Sequence, residues 1–402
     1  MCFAMYRNLI IGVLAAVLLS LPGVVHAQTE VDERALLDVK DGVSIRKDSL
    51  FLMNLRFRMQ SRMGLTTEGG DDLDVARVDA RVRRLRLRFD GFVLQRKFQY
   101  YIQLSFAPSD IDLESGSPQT VRDAMVYYHL NKRFYIGFGQ SKLPGNRQRV
   151  ISSGSLQFPD RSLANAVYTL DRDFGVFAYW TLPAGSQEFQ VKGAFTSGDG
   201  RGAPPSDPGM CYTGRLEWLP LGKFTRSGDY SEGDLEFEPR PKLSLAGTYS
   251  FNDRAYRTGG QLGPTLYGSR SMTTLIADMM FKLHGWGLMA EYFDRSANDP
   301  LTVSDEGAVR FVQVGTGFNV QLSKLLRSKY ELATRYTSVV PDASLGTMVK
   351  TTEEILLGST KYLNGHRIKL QLYGGYRWQQ RHMELDAPGS SWTAMFQVEF
   401  GI

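Results

Sequence analysis

The sequence predicts a transmembrane antiparallel β-barrel of about 16 strands, and three observations support this fold. Apolar and polar residues alternate along many segments, the number of these segments is even, and long connections alternate with short ones. In such a barrel, alternate side chains of each strand face lipid and a water-filled interior, so each segment averages to a polar value. This explains why the mean hydropathy is −0.24 although 43% of the residues are hydrophobic.

The alternation is clearest in the segment 98–106. Its even positions are all aromatic or aliphatic, whereas Gln99, Gln103 and Ser105 occupy odd positions. The same pattern recurs in 366–380 and 391–402. Because successive side chains of a strand point to opposite faces, each segment has one apolar and one polar side.

About sixteen segments show this pattern, and outer-membrane barrels made of a single chain require an even number. They are 50–63, 77–90, 97–107, 120–131, 133–140, 172–181, 187–196, 210–219, 241–251, 271–283, 286–294, 309–322, 329–339, 349–363, 366–380 and 391–402. A secreted soluble β-sandwich or β-solenoid is the alternative, but sandwich strands are typically about 5–6 residues long. Longer segments match a tilted membrane crossing better.

The connections give independent support for a barrel. Long connections rich in Gly, Ser, Asp and Pro follow the odd-numbered segments, as expected of extracellular loops. They are 64–76, 108–119, 141–171, 197–209, 252–270, 295–308, 340–348 and 381–390. The connections after even-numbered segments are mostly tight, as at Asn364-Gly365, where both residues tolerate positive φ. The acidic connection 220–240 is an exception that the sequence does not explain.

The N-terminus predicts export. Arg7, the apolar run 9–21 and the small residues that end at Ala27 form the pattern of a secretory signal peptide. The run is short for a membrane-spanning helix, which makes an uncleaved anchor the weaker alternative. We therefore expect a signal peptide at 1–27, cleaved after Ala27, then a periplasmic segment at 28–48 and an outer-membrane barrel at 49–402.

Composition and motifs exclude several functions. The formal charge of +5 is mild for 402 residues and suggests no nucleic-acid partner. Once the signal peptide is removed, Cys211 is the one cysteine left, so we expect no disulfide within the chain. We find no metal-binding spacing, P-loop or dinucleotide motif. His129 could belong to a triad, but no GxSxG-type turn accompanies it, so we expect neither catalysis nor a cofactor.

Arginines are concentrated in the segment 77–90. Arg84, Arg86 and Arg88 alternate there with apolar residues. They cannot face lipid, because an arginine at the bilayer midplane costs roughly 2–4 kcal/mol. The first segment carries Arg56, Arg58 and Arg62 in the same way. The two adjacent segments therefore predict an electropositive strip on the interior wall, which would attract anions.

Two further regions add candidate anion-binding residues. The connection 141–171 contributes Arg147 and Arg149, and the segment 366–380 contributes Arg367 and Lys369. The longest connection, 141–171, is a candidate constriction if it folds inward; outside, its basic residues would contact lipopolysaccharide phosphates. Ordinary charge balance remains the alternative to anion binding. The carboxylates available for it are Asp79, Asp90, Asp123, Glu331 and Glu399.

The region 50–180 contains one long motif, RRLRLRFDGFV at 83–93, and several shorter ones. The shorter motifs are Gly139-Gln140, Ser152-Ser153, Asp160-Arg161-Ser162-Leu163 and Arg172-Asp173-Phe174-Gly175-Val176. With these motifs the region resembles the phosphate-selective porin O and P family. The resemblance implies a 16-stranded barrel, usually trimeric, with an inward third loop and a ladder of arginines for anions.

Together these features predict an outer-membrane porin for passive, anion-preferring diffusion of small solutes, with phosphate as one candidate. The expected partners are small anions, outer-membrane lipid and lipopolysaccharide, and further copies of the chain in a homotrimer. The alternative is a non-conducting outer-membrane scaffold or adhesin that binds partners through its long loops and the acidic 220–240 connection.

The predicted fold can be tested by electrophoresis. A closed barrel should stay folded in mild SDS, so boiled and unboiled samples should migrate differently, and circular dichroism should be rich in β-structure. A protein that behaved after export as a soluble monomer without detergent would contradict the barrel.

Overall fold

Sixteen antiparallel strands close into a barrel, which confirms the predicted fold class. The computed structural model describes residues 37–38, 42–94, 96–107, 119–203, 209–379 and 388–402. The predicted signal peptide, most of 28–48 and most of the connections 108–119 and 381–390 lie outside these residues.

Twenty strands are described, numbered in chain order. They are β1 (Leu37–Asp38), β2 (Val43–Lys47), β3 (Phe51–Thr67), β4 (Val75–Val93), β5 (Phe98–Ser105), β6 (Val121–His129), β7 (Phe134–Lys142), β8 (Arg172–Ala184), β9 (Gln187–Thr196), β10 (Cys211–Leu219), β11 (Lys242–Arg257), β12 (Thr265–Leu283), β13 (Trp286–Ala297), β14 (Leu301–Val303), β15 (Val309–Phe311), β16 (Gly315–Leu325), β17 (Tyr330–Pro341), β18 (Thr352–Asn364), β19 (Ile368–Gln379) and β20 (Ser391–Gly401). Helices α1 (Arg147–Val150) and α2 (Leu163–Tyr168) and two 3₁₀ turns (Thr225–Tyr230 and Ala343–Leu345) complete the described elements.

The barrel consists of β3 to β13 and β16 to β20. Each barrel strand pairs with the barrel strands that precede and follow it in the chain, so that β13 pairs with β16. Strand β20 pairs with β3 to close the sheet. The terminal Ile402 exchanges both backbone hydrogen bonds with Phe57. Below this seam, β2 pairs with the first residues of β3, so the chain just before the barrel extends the sheet at its periplasmic end.

The strands on either side of the predicted connection 252–270 extend further than the hydrophobic pattern. Strand β11 continues to Arg257 and β12 begins at Thr265, so the predicted connection 252–270 is shorter. Their outer ends are polar and irregularly paired, and therefore lack the alternation that marks a membrane-facing strand. The predicted segment 309–322 is also wrong at its start: β15 pairs with β14 in a separate hairpin, and the barrel strand begins at Gly315.

Side chains on the two faces of the strands differ as the alternation requires. Outward-facing Leu357, Leu372 and Phe138 are more than half exposed in the isolated chain and would face lipid. Inward-facing polar residues such as Thr337 and Gln397 are fully buried. The polar residues are buried because a long connection fills part of the barrel interior.

That connection, residues 143–171, is called the third loop here. Its helix α2 packs against β13, β16 and β17, where inward-facing Phe293 and Val339 form an apolar patch within the otherwise polar wall. Ser162 caps α2 by accepting a hydrogen bond from the Asn165 amide at 3.1 Å. A Cβ at Gly317 would lie 2.8 Å from the Tyr168 ring, so glycine lets the helix approach the wall.

No helix among the described residues is long and apolar enough to span a membrane.

The orientation of the strands predicts a depth-dependent cost of charge on the outer face. Leu357 lies in the middle of β18, and Leu363 lies near its end on the same face, beyond Lys361. We expect Leu357→Arg to lower the unfolding free energy by about 2–4 kcal/mol and Leu363→Arg by about 0–1 kcal/mol. Denaturant titration in lipid vesicles measures both. Equal losses would contradict this placement of β18 in the bilayer.

Candidate functional site

Strands β3 and β4 bring arginines together in facing pairs. Arg58 lies opposite Arg86, and Arg56 lies opposite Arg88, with all four side chains on the inward face. Like charges directly opposite each other on neighbouring strands destabilise a sheet unless other groups compensate them. The surroundings of each guanidinium group therefore determine whether this wall attracts anions.

The tip of the third loop lies directly on this wall. Arg58 donates hydrogen bonds to the Ser152 and Ser153 hydroxyls at 3.1 and 2.9 Å, and Arg86 donates to the Ser153 hydroxyl at 2.8 Å. The loop thus meets two arginines through neutral hydroxyl groups. It narrows the lumen at this point because its backbone occupies the space in front of the wall.

Nearer the extracellular side, the loop contributes one carboxylate to the wall. Asp160 forms ion pairs with Arg62 and Arg83, and Arg84 lies 3.6 Å away. Burial alone would raise the pKa of Asp160, but Arg83, Arg84 and Arg62 outweigh it and hold this pKa well below its usual value. Arg84 also donates to the Gln60 side chain at 2.7 Å and to the Pro159 carbonyl at 3.2 Å.

Carboxylates balance several arginines of the wall but not all of them. Asp90 lies 2.8 Å from Arg88 and 3.9 Å from Arg56. Glu399 lies 3.8 Å from Arg58. Among the described residues, no carboxylate lies within ion-pair distance of Arg86, whose buried Nε also lacks a hydrogen-bond partner. Arg86 is therefore a buried arginine of the wall whose charge no described carboxylate compensates.

Two cavities, each of about 390 Å³, lie on either side of the loop tip. The periplasmic cavity is lined by Arg56, Arg58, Arg86, Arg88, Arg367, Gln103, His366, Ser152, Ser155 and Glu399, among others. The extracellular cavity is lined by Arg62, Arg77, Arg83, Arg84, Arg149, Arg161, Arg335 and Arg377, together with Asp79, Asp160 and Glu354. Among the described lining residues of each cavity, arginines outnumber carboxylates.

A second basic group adjoins the wall and includes residues that the sequence analysis did not select. Arg172 donates to both carboxylate oxygens of Asp123, at 2.9 and 3.0 Å, and Arg149 pairs with Asp171. Arg161 donates to the Gln148 carbonyl at 2.7 Å. Arg172 is far from the arginine-rich strands in the chain, and its presence in the family-like motif at 172–176 was the signal that could have identified it.

Two of the predicted anion-binding residues have other contacts. Arg147 is fully buried on the opposite side of the lumen, 3.1 Å from Asp278 and 3.7 Å from Glu217. Lys369 is also fully buried and donates to the Gly154 and Leu156 carbonyls at 2.9 and 2.6 Å. Both residues attach the third loop to the wall and do not line either cavity. Arg367 lies in the turn before β19 and lines the periplasmic cavity.

The acidic connection 220–240 folds back into the barrel from the periplasmic end. Glu232 accepts hydrogen bonds from the Gln157 amide at 2.7 Å and from the Gln148 and Gln321 side chains at 3.1 and 3.0 Å. The Glu232 amide donates to the Ser155 carbonyl at 2.9 Å. This explains the exceptional length of the connection: it supports the third loop from below.

Four of the five acids of this connection are buried, which weakens the idea that the connection binds a partner of a scaffold. Asp229, Glu232, Asp234 and Glu238 are each at most 5% exposed. Asp234 accepts from the Gly285 amide at 2.7 Å, and Glu238 accepts from the Thr225 amide at 2.6 Å. These carboxylates therefore do not form an exposed acidic surface for a partner.

A closed 16-stranded antiparallel barrel with a charged lumen narrowed by an inward loop defines the class of outer-membrane porins. The model of the family described as phosphate-selective porin O and P matches residues 53–230, which confirms the resemblance found in the sequence. The family match and the fold together support a porin channel of the outer membrane. No curated protein sequence matches the chain.

Solved structures agree on the fold. OmpF of Salmonella typhi in complex with daunomycin shares 13% identity at a TM-score of 0.55, covering 89% of this chain and 100% of that one. The outer membrane channel DcaP of Acinetobacter baumannii shares 13% identity at a TM-score of 0.53, covering 90% and 100%. OmpT of Vibrio cholerae shares 11% identity at a TM-score of 0.52, covering 89% and 100%. OmpT has also been solved in a trimer form.

Glu232 of the 220–240 connection is expected to hold the third loop in place. Glu232→Ala removes the acceptor for three donors, two of which lie on the third loop, so the loop should move more. We expect noisier and larger single-channel currents in planar bilayers. Glu236→Ala is the matched control, because the partly exposed Glu236 pairs only with the exposed Arg226 among the described residues. Identical traces for both variants would contradict a supporting role of Glu232.

Proposed function

We propose that this porin is a passive diffusion channel that prefers small anions, with phosphate as one candidate solute. The observation that carries the proposal is Arg86. It lies at the loop tip, lines the periplasmic cavity and has no carboxylate partner among the described residues. Arginine stays protonated at any physiological pH, so this charge is permanent.

The contacts at the loop tip suit a passing anion. The Ser152 and Ser153 hydroxyls accept hydrogen bonds from Arg58 and Arg86. A hydrogen bond from arginine to a neutral hydroxyl is weaker than an ion pair with a carboxylate. An anion with several oxygens could replace them, because it offers Arg58 and Arg86 charged acceptors and can accept from the serine hydroxyls. The pore would then solvate the anion where the lumen is narrowest.

The spacing of the arginines supports transfer along the wall. Same-face residues on a strand lie roughly 7 Å apart, so Arg84, Arg86 and Arg88 offer successive contacts from the extracellular to the periplasmic cavity. Several sites that bind the anion with moderate affinity permit conduction better than one site that binds it tightly. Arg88 is paired with Asp90 and Arg84 with Asp160. These carboxylates would keep the anion affinity of the sites at Arg84 and Arg88 moderate.

The crowded lumen favours one other function. The third loop and the 220–240 connection both enter the barrel, so a non-conducting scaffold or adhesin is the second candidate. Single-channel recording separates the two, because a scaffold would give no current steps.

We also infer that the chain is exported, cleaved after Ala27, and assembled as a homotrimer in contact with outer-membrane lipid and lipopolysaccharide. The signal-like sequence at 1–27 supports export. The trimer form of Vibrio cholerae OmpT, which has the same fold, supports the homotrimer.

The anion preference is tested by reversing the charge of the wall. Replacing Arg84, Arg86 and Arg88 together by Glu should change the sign of the reversal potential in a salt gradient, from anion-preferring to cation-preferring. Arg81→Glu is the matched control on the same strand, because Arg81 is half exposed, pairs with Asp79 and lies away from the loop tip. A normally inserted triple variant with wild-type selectivity would contradict the mechanism.

A further inference from the structure

A group of aromatic side chains lies on the inner wall near the periplasmic end. We call it the tyrosine strip; its members are Tyr101, Tyr127, His129, Tyr135 and Tyr179. The rings of Tyr135 and Tyr179 are stacked with centroids 4.6 Å apart, and those of His129 and Tyr135 are stacked at 4.8 Å. Tyr127 meets Tyr135 edge-on at 5.9 Å. The rings of Tyr127, His129, Tyr135 and Tyr179 therefore form one continuous aromatic surface. Tyr101 lies on the neighbouring strand β5 and packs against the same apolar cluster as Tyr127.

The register places these rings inside the barrel. Tyr135 pairs with Tyr179 across β7 and β8 and with His129 across β6 and β7, on the same face as buried Met125 and Phe177. The adjacent residues Tyr128 and Trp180 are exposed on the outer face. Aromatic girdles of outer-membrane barrels face lipid, so an aromatic strip on the inward face needs another explanation.

Packing explains only part of the strip. Tyr101, Tyr127 and Tyr179 contact the buried apolar cluster beneath the third loop. Tyr135 and His129 lie beyond this cluster toward the periplasm and are not part of it. All five side chains keep part of their surface exposed, so the strip presents ring surface to the lumen.

The strip adjoins the arginine wall. The guanidinium carbon of Arg88 lies 4.5 Å from the centroid of the Tyr101 ring, and Arg88 also lines the periplasmic cavity. A fixed cation thus lies at the junction between the cavity and the aromatic surface. A ligand that spanned this junction would need an anionic group at one end and a flat apolar body at the other.

We infer that the tyrosine strip and Arg88 form a binding site for small aromatic carboxylates. The carboxylate would accept hydrogen bonds from the Arg88 guanidinium, whose planar fork matches it. The ring would lie against the exposed tyrosine surface in an offset or edge-on arrangement. The inference rests on the proposed anion preference and adds the class of organic anion that the periplasmic end favours.

The test compares two probes of equal charge and similar size in planar bilayers. Benzoate is planar, whereas cyclohexanecarboxylate is not, so only benzoate can stack on the strip. In the wild-type porin we expect benzoate to reduce the chloride current at a concentration about 2–10-fold lower than cyclohexanecarboxylate. In the double variant Tyr101→Leu and Tyr127→Leu, which removes the rings on the two strands next to Arg88, the two concentrations should become equal. In the double variant Tyr101→Phe and Tyr127→Phe, which keeps both rings, the difference should remain.

Tyr128→Leu is the matched control, because Tyr128 lies on the outward face of the same strand as His129. It should leave the difference between the probes unchanged. Equal block by both probes in an anion-selective wild type would overturn the inference alone, as would a difference that survives in the double Leu variant. A wild type without anion selectivity in a chloride salt gradient would instead overturn the proposed function.

Discussion

The structure depends first on the closure of the sheet between β3 and β20. In lipid every backbone N–H and C=O must find a partner within the protein, and a strand edge left open there would cost several kcal/mol per group. Nine residue pairs join the two strands, from Thr393 with Thr66 to Gly401 with Arg58, and Ile402 extends the pairing to Phe57. Closure then forces each strand to present one face to lipid and one to the interior.

The third loop crosses the interior and contacts opposite walls of the barrel in different ways. On one side, Arg147 and Arg215 share Asp278 and Glu217, and all four side chains are fully buried. Buried charges are tolerated only when they are paired and hydrogen-bonded, so this network fixes the loop without leaving net charge. On the other side the loop tip meets Arg58 and Arg86 through serine hydroxyls. The loop is thus anchored on one wall of the barrel, and the arginines proposed to contact the solute lie on the opposite wall.

The 220–240 connection makes this arrangement stable from the periplasmic side. Glu232 is nearly fully buried yet satisfied by three donors, which offsets the cost of removing its charge from water. Because its partners lie on the third loop and on β16, it joins the loop to the wall beneath the narrowest point. The lumen is therefore shaped by two connections that enter from opposite ends.

The sequence by itself determined the barrel, its strand number and the arginine wall. The reason is that apolar and polar residues alternate along each membrane strand, and this alternation can be seen in the sequence. Arg84, Arg86 and Arg88 had to face inward whatever else the chain did. Which charges are neutralised was decided only by the tertiary structure. Arg147 and Arg86 look alike in the sequence, but one lies among three carboxylates and the other beside a serine. The length of 220–240 likewise had no local explanation, since its acids are satisfied by residues of the third loop and distant strands. Contacts between residues far apart in the chain leave no periodic signal, and for that reason the sequence could not reveal them.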